Sequence, residues 1–148
     1  MRGTSEIPRT RAIRGSLPAM SDSFTDRLDA FAPVVLSVFR IIVGLGFLVH
    51  GTSKIFGYPA GPALDMSAGS PWWAGVIEVV VGALVALGLF TRPAAFLGSG
   101  TMAVAYFTAH APDGFWPILN NGELAALYCF ALFLLVFTGP GPIALLRR

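Results

Sequence analysis

The sequence predicts an all-α fold: an integral membrane four-helix bundle with both termini on the cytoplasmic side. Three observations predict it. Of the 148 residues, 55% are hydrophobic and 12% charged, where a soluble domain carries about 25% charged residues. The apolar residues gather in four runs, each near the ~20 residues a helix needs to cross the hydrocarbon. The Lys and Arg residues outside those runs fall almost entirely on one side. A chain this short cannot bury so much apolar surface in one aqueous core, whereas a bilayer solvates it directly. Backbone polar groups in lipid must pair internally, which leaves helices or a closed barrel. Runs without strict alternation select helices.

Residues 1–30 precede the first run. Residues 1–20 are polar, carry Arg2, Arg9, Arg11 and Arg14, and read as a disordered tail. They contain no apolar stretch of the kind a cleaved signal needs. Ser21 to Ala30 reads as a short interfacial helix, with Phe24, Leu28 and Phe31 at helical spacing. Residues 31–140 hold the four spans, at about 33–56, 72–90, 93–110 and 122–138, and residues 141–148 form a short basic tail. Turn residues separate the runs: Gly57-Tyr58-Pro59, Thr91-Arg92-Pro93, Ala111-Pro112-Asp113-Gly114 and Gly139-Pro140-Gly141-Pro142.

Charge gives the bundle a direction. Arg2, Arg9, Arg11, Arg14, Arg27, Arg92, Arg147 and Arg148 fall on one side of the four spans, whereas loops 57–71 and 111–121 contain no Lys or Arg. The positive-inside bias therefore places both termini in the cytoplasm. Trp72, Trp73, Phe115 and Trp116 form an aromatic belt at the opposite interface. The net charge of +2 does not point to nucleic acid, because the basic residues are not interleaved with stacking aromatics in any recognisable module. Cys129, the single cysteine, lies inside a span; no intrachain disulfide, C-x-x-C pair or metal-ligand set follows from it.

The ionisable residues inside the spans are Arg40, His50, Lys54, Glu78, His110 and Glu123. Such residues are costly at membrane depth and mark function by default. The topology gathers His50, Lys54, Glu78, His110 and Glu123 in the outer half, with Glu78 roughly 9 Å below the surface. Arg40 lies deeper, toward the inner side. Glu78 shares an i, i+4 line with Ala74, Gly82 and Ala86, a small-residue face on which membrane helices pack. Ala94, Gly98, Met102, Tyr106 and His110 form a similar line.

Structural readings compete with functional ones. Arg40 and Glu78 can pair to hold spans one and two together, and Lys54 can snorkel to the outer headgroups. His110 and Glu123 can be solvated helix ends, Glu123 gaining from the helix dipole. Cys129 reads as a packing residue. Two ligand readings fit the same geometry. His50 and His110 have the chemistry to hold a haem, though two histidines are a weak signal. A quinone headgroup can instead take hydrogen bonds from His50, Lys54 or Tyr106, its tail leaving through the apolar bundle wall.

Arg40-Ile41-Ile42-Val43-Gly44 continuing through Phe47, His50-Gly51 and Lys54-Ile55-Phe56-Gly57 resembles the opening helix of DoxX-type membrane proteins. Glu78-Val79-Val80-Val81-Gly82, Gly88-Leu89-Phe90-Thr91-Arg92 and Asn121-Gly122-Glu123 resemble that family's later segments. The resemblance covers about residues 34–140. It implies a four-helix bundle in a bacterial cytoplasmic membrane, with Arg40, His50, Lys54, Glu78 and Glu123 as its polar signature. Some relatives are linked to thiosulfate:quinone oxidoreduction and others to thiol and oxidative-stress complexes. The absence of paired cysteines here argues against a self-contained thiol–disulfide activity.

The leading expectation is a quinone- or redox-linked membrane subunit acting with a redox partner protein or as a homo-oligomer. The alternatives are a small proton-coupled transporter and a non-catalytic scaffold or assembly protein. No nucleophile elbow or phosphate loop assigns a reaction.

Overall fold

The computed structural model describes residues 22–146, which form four α-helices with no strand among them. The tail expected over residues 1–20 lies outside the described residues, as do Arg147 and Arg148. Helix α1 is Asp22–Phe56, α2 is Ser70–Leu87, α3 is Thr91–Ala105 and α4 is Glu123–Thr138. Their bounds lie close to the four apolar runs. Helices α1 and α2 are long and apolar enough to cross a membrane.

The start of α1 differs from the sequence expectation. The interfacial segment and the first span are one helix of 35 residues that runs through Pro33. An interior proline loses its ladder bond and crowds the carbonyl four residues back, yet α1 continues through Pro33. The Ser37 hydroxyl donates to the Pro33 carbonyl at 3.2 Å. At 1.5 Å per residue α1 is about 50 Å long, beyond the ~30 Å of bilayer hydrocarbon. Its first turns expose Phe24, Leu28 and Phe31.

The loop from α1 to α2 closes on a short 3-10 turn, Met66–Ala68, capped by Asp65, whose carboxylate accepts from the Ser67 N–H at 2.9 Å. That bond holds the Asp65 carboxyl below its ordinary pKa. Pro71 sits in the first turn of α2, where its missing N–H costs nothing. Gly88 ends α2 in the left-handed region at φ 71°, which only glycine enters freely. Helix α3 does not stop at Ala105 but widens into a five-residue π turn, Tyr106–His110.

Helix α1 packs antiparallel on α2, and α3 on α4, with α2 against α3 and α1 against α4 completing the arrangement. Glycines set the first pair. A Cβ on Gly44 would lie 2.8 Å from Ala86 Cα, one on Gly82 2.7 Å from Leu48 Cα, and one on Gly51 2.7 Å from the Gly75 carbonyl. Small residues let the two backbones touch, which is how helices associate where solvent gives no hydrophobic push. Phe47, Val81, Val85, Ala95, Leu132 and Leu135 fill the centre.

The end of the molecule opposite the histidines is closed by Arg40, Arg92 and the residues that follow α4, up to Leu146. Arg40 is 1% exposed and its Nη2 donates to the Ile143 carbonyl at 2.6 Å. The Ile143 N–H donates to Ser37 Oγ at 3.1 Å, and the N–H groups of Leu145 and Leu146 donate to the carbonyls of Leu87 and Gly88. Arg92 Nη1 donates to the carbonyls of Val136 and Phe137 at 2.6 and 2.7 Å. A cation there satisfies carbonyls that the end of α4 leaves unpaired. Within the segment expected as a basic tail, residues 141–146 thus form a strap folded across the helix ends.

Candidate functional site

The polar residues of α1 and α2 meet at the end opposite this strap. Gly75 lets the Lys54 side chain lie across α2: a Cβ there would be 2.9 Å from Lys54 Cβ. Lys54 Nζ reaches Glu78 Oε1 at 2.5 Å. Glu78 is 1% exposed, while the Lys54 side chain is 33% exposed. Among the described residues Glu78 Oε2 has no hydrogen-bond partner. A buried carboxylate oxygen without a partner is costly, so it is the atom at this end most in need of a ligand.

That carboxylate lines a cavity of about 180 Å³. Phe47, His50 and Lys54 of α1 form one wall, Met102, Ala105 and His110 another, and Asn121, Leu124, Ala125 and Tyr128 the third. The Tyr128 ring packs edge-on to His50 at 5.6 Å and tilted on Phe47 at 5.5 Å. Gly46 leaves the space the Tyr128 hydroxyl occupies, since a Cβ there would collide with it.

The π turn sets His110. It adds a residue to the turn, and such insertions recur at functional sites. The His110 Nδ1 lies 3.1 Å from the Asn120 carbonyl. A carbonyl only accepts, so Nδ1 carries the hydrogen and Nε2 is the free ring nitrogen, an acceptor in the neutral ring. The Asn120 amide donates to the Gly114 carbonyl at 2.6 Å and its Oδ1 accepts from the Gly122 N–H at 2.8 Å. Asn121 follows in the left-handed region at φ 58°, a conformation asparagine tolerates better than most residues.

The structure therefore brings together His50, Lys54, Glu78 and His110. It does not bring the other three candidates into the cavity. Arg40 sits at the far end with its Nη2 on a backbone carbonyl, so the expected Arg40–Glu78 pair does not form; Lys54 takes that carboxylate instead. Lys54 consequently does not simply extend to headgroups. The Tyr106 hydroxyl donates to the Phe115 carbonyl, and its ring stacks on His110 at 6.4 Å, which makes it a positioning residue for the loop rather than a donor to a ligand. Glu123 is exposed at the first turn of α4, where the helix dipole favours it. Asn121 and Tyr128 were not singled out from the sequence, although Asn121, Leu124 or Ala125, and Tyr128 keep one helical face.

The cavity tests the two ligand readings by size. An apolar cavity of roughly 150 Å³ takes one benzene ring, so this one, at about 180 Å³, has room for a six-membered ring. A porphyrin is several times larger than this cavity. A benzoquinone ring does fit. Its carbonyls would find donors in Lys54, Tyr128 and the Asn121 amide, and the hydroxyls of its reduced form would find acceptors in Glu78 Oε2 and His110 Nε2.

Comparison with known proteins agrees with the residues quoted above. The DoxX family profile matches residues 35–111. The chain belongs to the DoxX family. Among relatives, this DoxX protein is 44% identical to an uncharacterized protein of Haemophilus influenzae, over 81% of this chain and 94% of the relative. It is 34% identical to the inner membrane protein YphA of Escherichia coli, over 80% and 93%. It is also 34% identical to an uncharacterized membrane protein of Mycobacterium tuberculosis, over 93% of each. No solved structure matches it. The profile's span takes in His50, Lys54, Glu78 and His110 but not Asn121 or Tyr128.

Proposed function

We propose that this DoxX membrane protein is a quinone-linked subunit of the bacterial cytoplasmic membrane, with the cavity as its headgroup site. In this reading all four helices cross the bilayer, the two shorter ones tilted little, and both termini face the cytoplasm. The basic residues outside the four apolar runs support that orientation. The cavity then lies in the outer half of the membrane, and the arginine-bound strap closes the inner end.

One observation carries the proposal. A ring-sized cavity holds hydrogen-bond donors and acceptors on facing walls, including the unpartnered Glu78 Oε2. Lys54 pairs with Glu78 Oε1 and keeps N–H groups for a ring carbonyl, Tyr128 closes one side, and His110 lies toward the outer surface with Nε2 as a hydrogen-bond acceptor. Quinone chemistry supplies the electron transfer when the ring is bound. The chain has a single cysteine and no dithiol, so electrons pass to or from a partner protein.

The test is a titration of purified protein in mild detergent with a tail-less dimethoxybenzoquinone, followed by quenching of tyrosine and tryptophan fluorescence. Saturable binding that weakens in His50→Leu and Tyr128→Leu is expected. Equal, non-saturating quenching in all three proteins would end the proposal. A scaffold role has one observation in its favour, because Lys54–Glu78 also pins α1 to α2. It predicts that both variants leave any quinone response unchanged.

A further inference from the structure

Beside the cavity, α2 and α3 leave a groove of about 950 Å³ between them. Ser70, Pro71, Trp73, Ala74 and Ile77 line one side, and Phe96, Leu97, Gly100, Thr101, Val104 and Thr108 the other. Lys54, Ala105 and His110 belong to both the groove and the cavity, so the two spaces meet at those three residues.

The groove's polarity runs in one direction. The Thr101 hydroxyl donates to the Leu97 carbonyl at 2.9 Å and the Thr108 hydroxyl to the Val104 carbonyl at 2.7 Å. Both hydroxyls are used within α3, which leaves their methyl groups to the groove. The charged or ring-nitrogen groups on its wall, Lys54 and His110, stand where it joins the cavity. A space that is polar at one end and apolar along its length suits an amphiphile with a small polar ring and a linear hydrocarbon tail.

Resting on the headgroup reading above, we infer that the groove between α2 and α3 is the tail channel of that site, and that its occupant is the linear hydrocarbon tail of the quinone bound there. The ring passes Lys54 and His110 sideways from the bilayer into the cavity, and the tail stays between Trp73 and Val104. Gly100 gives the channel a position that can be filled. It is exposed, it lines the groove, and a Cβ there would meet nothing within 4 Å. A larger side chain at that point enters the channel without disturbing the helix packing.

The experiment compares two probes on purified full chain in detergent: tail-less dimethoxybenzoquinone and the same ring with a decyl tail. Wild type is expected to bind the decyl benzoquinone at least about tenfold more tightly than the tail-less ring, since each buried methylene contributes to transfer. Gly100→Trp should abolish that tenfold gain and leave tail-less binding unchanged, with Gly100→Leu intermediate; thermal melts check that both variants are folded. If the tail-less ring binds but Gly100→Trp leaves the decyl gain intact, the channel is overturned and the headgroup site stands. A phospholipid retained by native mass spectrometry at saturating decyl quinone would give the groove to an acyl chain and also overturn it. Failure of both probes to bind would remove the headgroup reading itself.

Discussion

Replacing Lys54 with methionine removes the partner of a carboxylate that is 1% exposed while keeping the length of the side chain. Breaking a buried pair from one side costs about 3–5 kcal/mol, because the remaining charge is stranded. Lys54 is itself 33% exposed, and water reaching the site screens part of that cost, so about 2–3 kcal/mol is expected. Glu78→Leu strands the ammonium instead, which can turn to solvent, and should cost about 1 kcal/mol. The double variant Lys54→Met/Glu78→Leu strands nothing and should lie within about 1 kcal/mol of wild type. The single cysteine gives a direct assay. Cys129 is half-buried, with its Sγ 3.6 Å from Ser99 Oγ, so a thiol-reactive dye reports unfolding from one position. Lys54→Met should melt roughly 10 °C below wild type, and the double variant should recover most of that. A Lys54→Met melt at the wild-type temperature, or a double variant less stable than Lys54→Met, would refute the reasoning.

Three further outcomes follow from other contacts. Gly46→Ala should displace the Tyr128 hydroxyl and weaken quinone binding, and adding Tyr128→Phe should restore the fold's stability by removing the collision; dye melts and fluorescence titration report the two effects. Arg92→Ala loses two charge-assisted bonds to the end of α4. It should cost about 1 kcal/mol at that exposed site and speed amide hydrogen exchange in the last turn of α4 without changing ligand binding. For orientation, Ala63→Cys and Leu145→Cys, each in a Cys129→Ser background, place thiols at exposed positions on opposite ends. A membrane-impermeant maleimide applied to intact spheroplasts should label Ala63→Cys and spare Leu145→Cys; the reverse pattern would invert the topology.

The helices were legible because their signal is redundant. Apolar runs of membrane length, bounded by Gly57, Gly88 and Gly139 at turns with positive φ, leave few alternatives. The gathering of His50, Lys54, Glu78 and His110 was legible too, since alternating helix directions place all four near one end. Partner choice was not. Arg40 and Lys54 both offered Glu78 a cation, and the chain resolves the choice through Gly75, which clears a path for Lys54, and Ile143, whose carbonyl takes Arg40. Residues 139–146 carry no periodicity, so nothing in their sequence announced a strap held by backbone bonds. The π turn at Tyr106–His110 likewise has no compositional mark, yet it sets the ring of His110. Tyr128 carries no mark in the sequence, because a tyrosine in an apolar helix has the pattern of a packing residue and its place depends on Gly46 in a distant helix.

The central claim is that one quinone ring occupies the cavity between His50, Glu78 and Tyr128. The most direct measurement is photolabelling of purified protein with an azido-substituted single-ring quinone, with adducts located by mass spectrometry and competed by unlabelled quinone. The account predicts competed adducts on α1 around Phe47–His50 and on α4 around Asn121–Tyr128, reduced in Tyr128→Leu. Adducts confined to lipid-facing residues such as Phe130 or Val35, and indifferent to competitor, would contradict it.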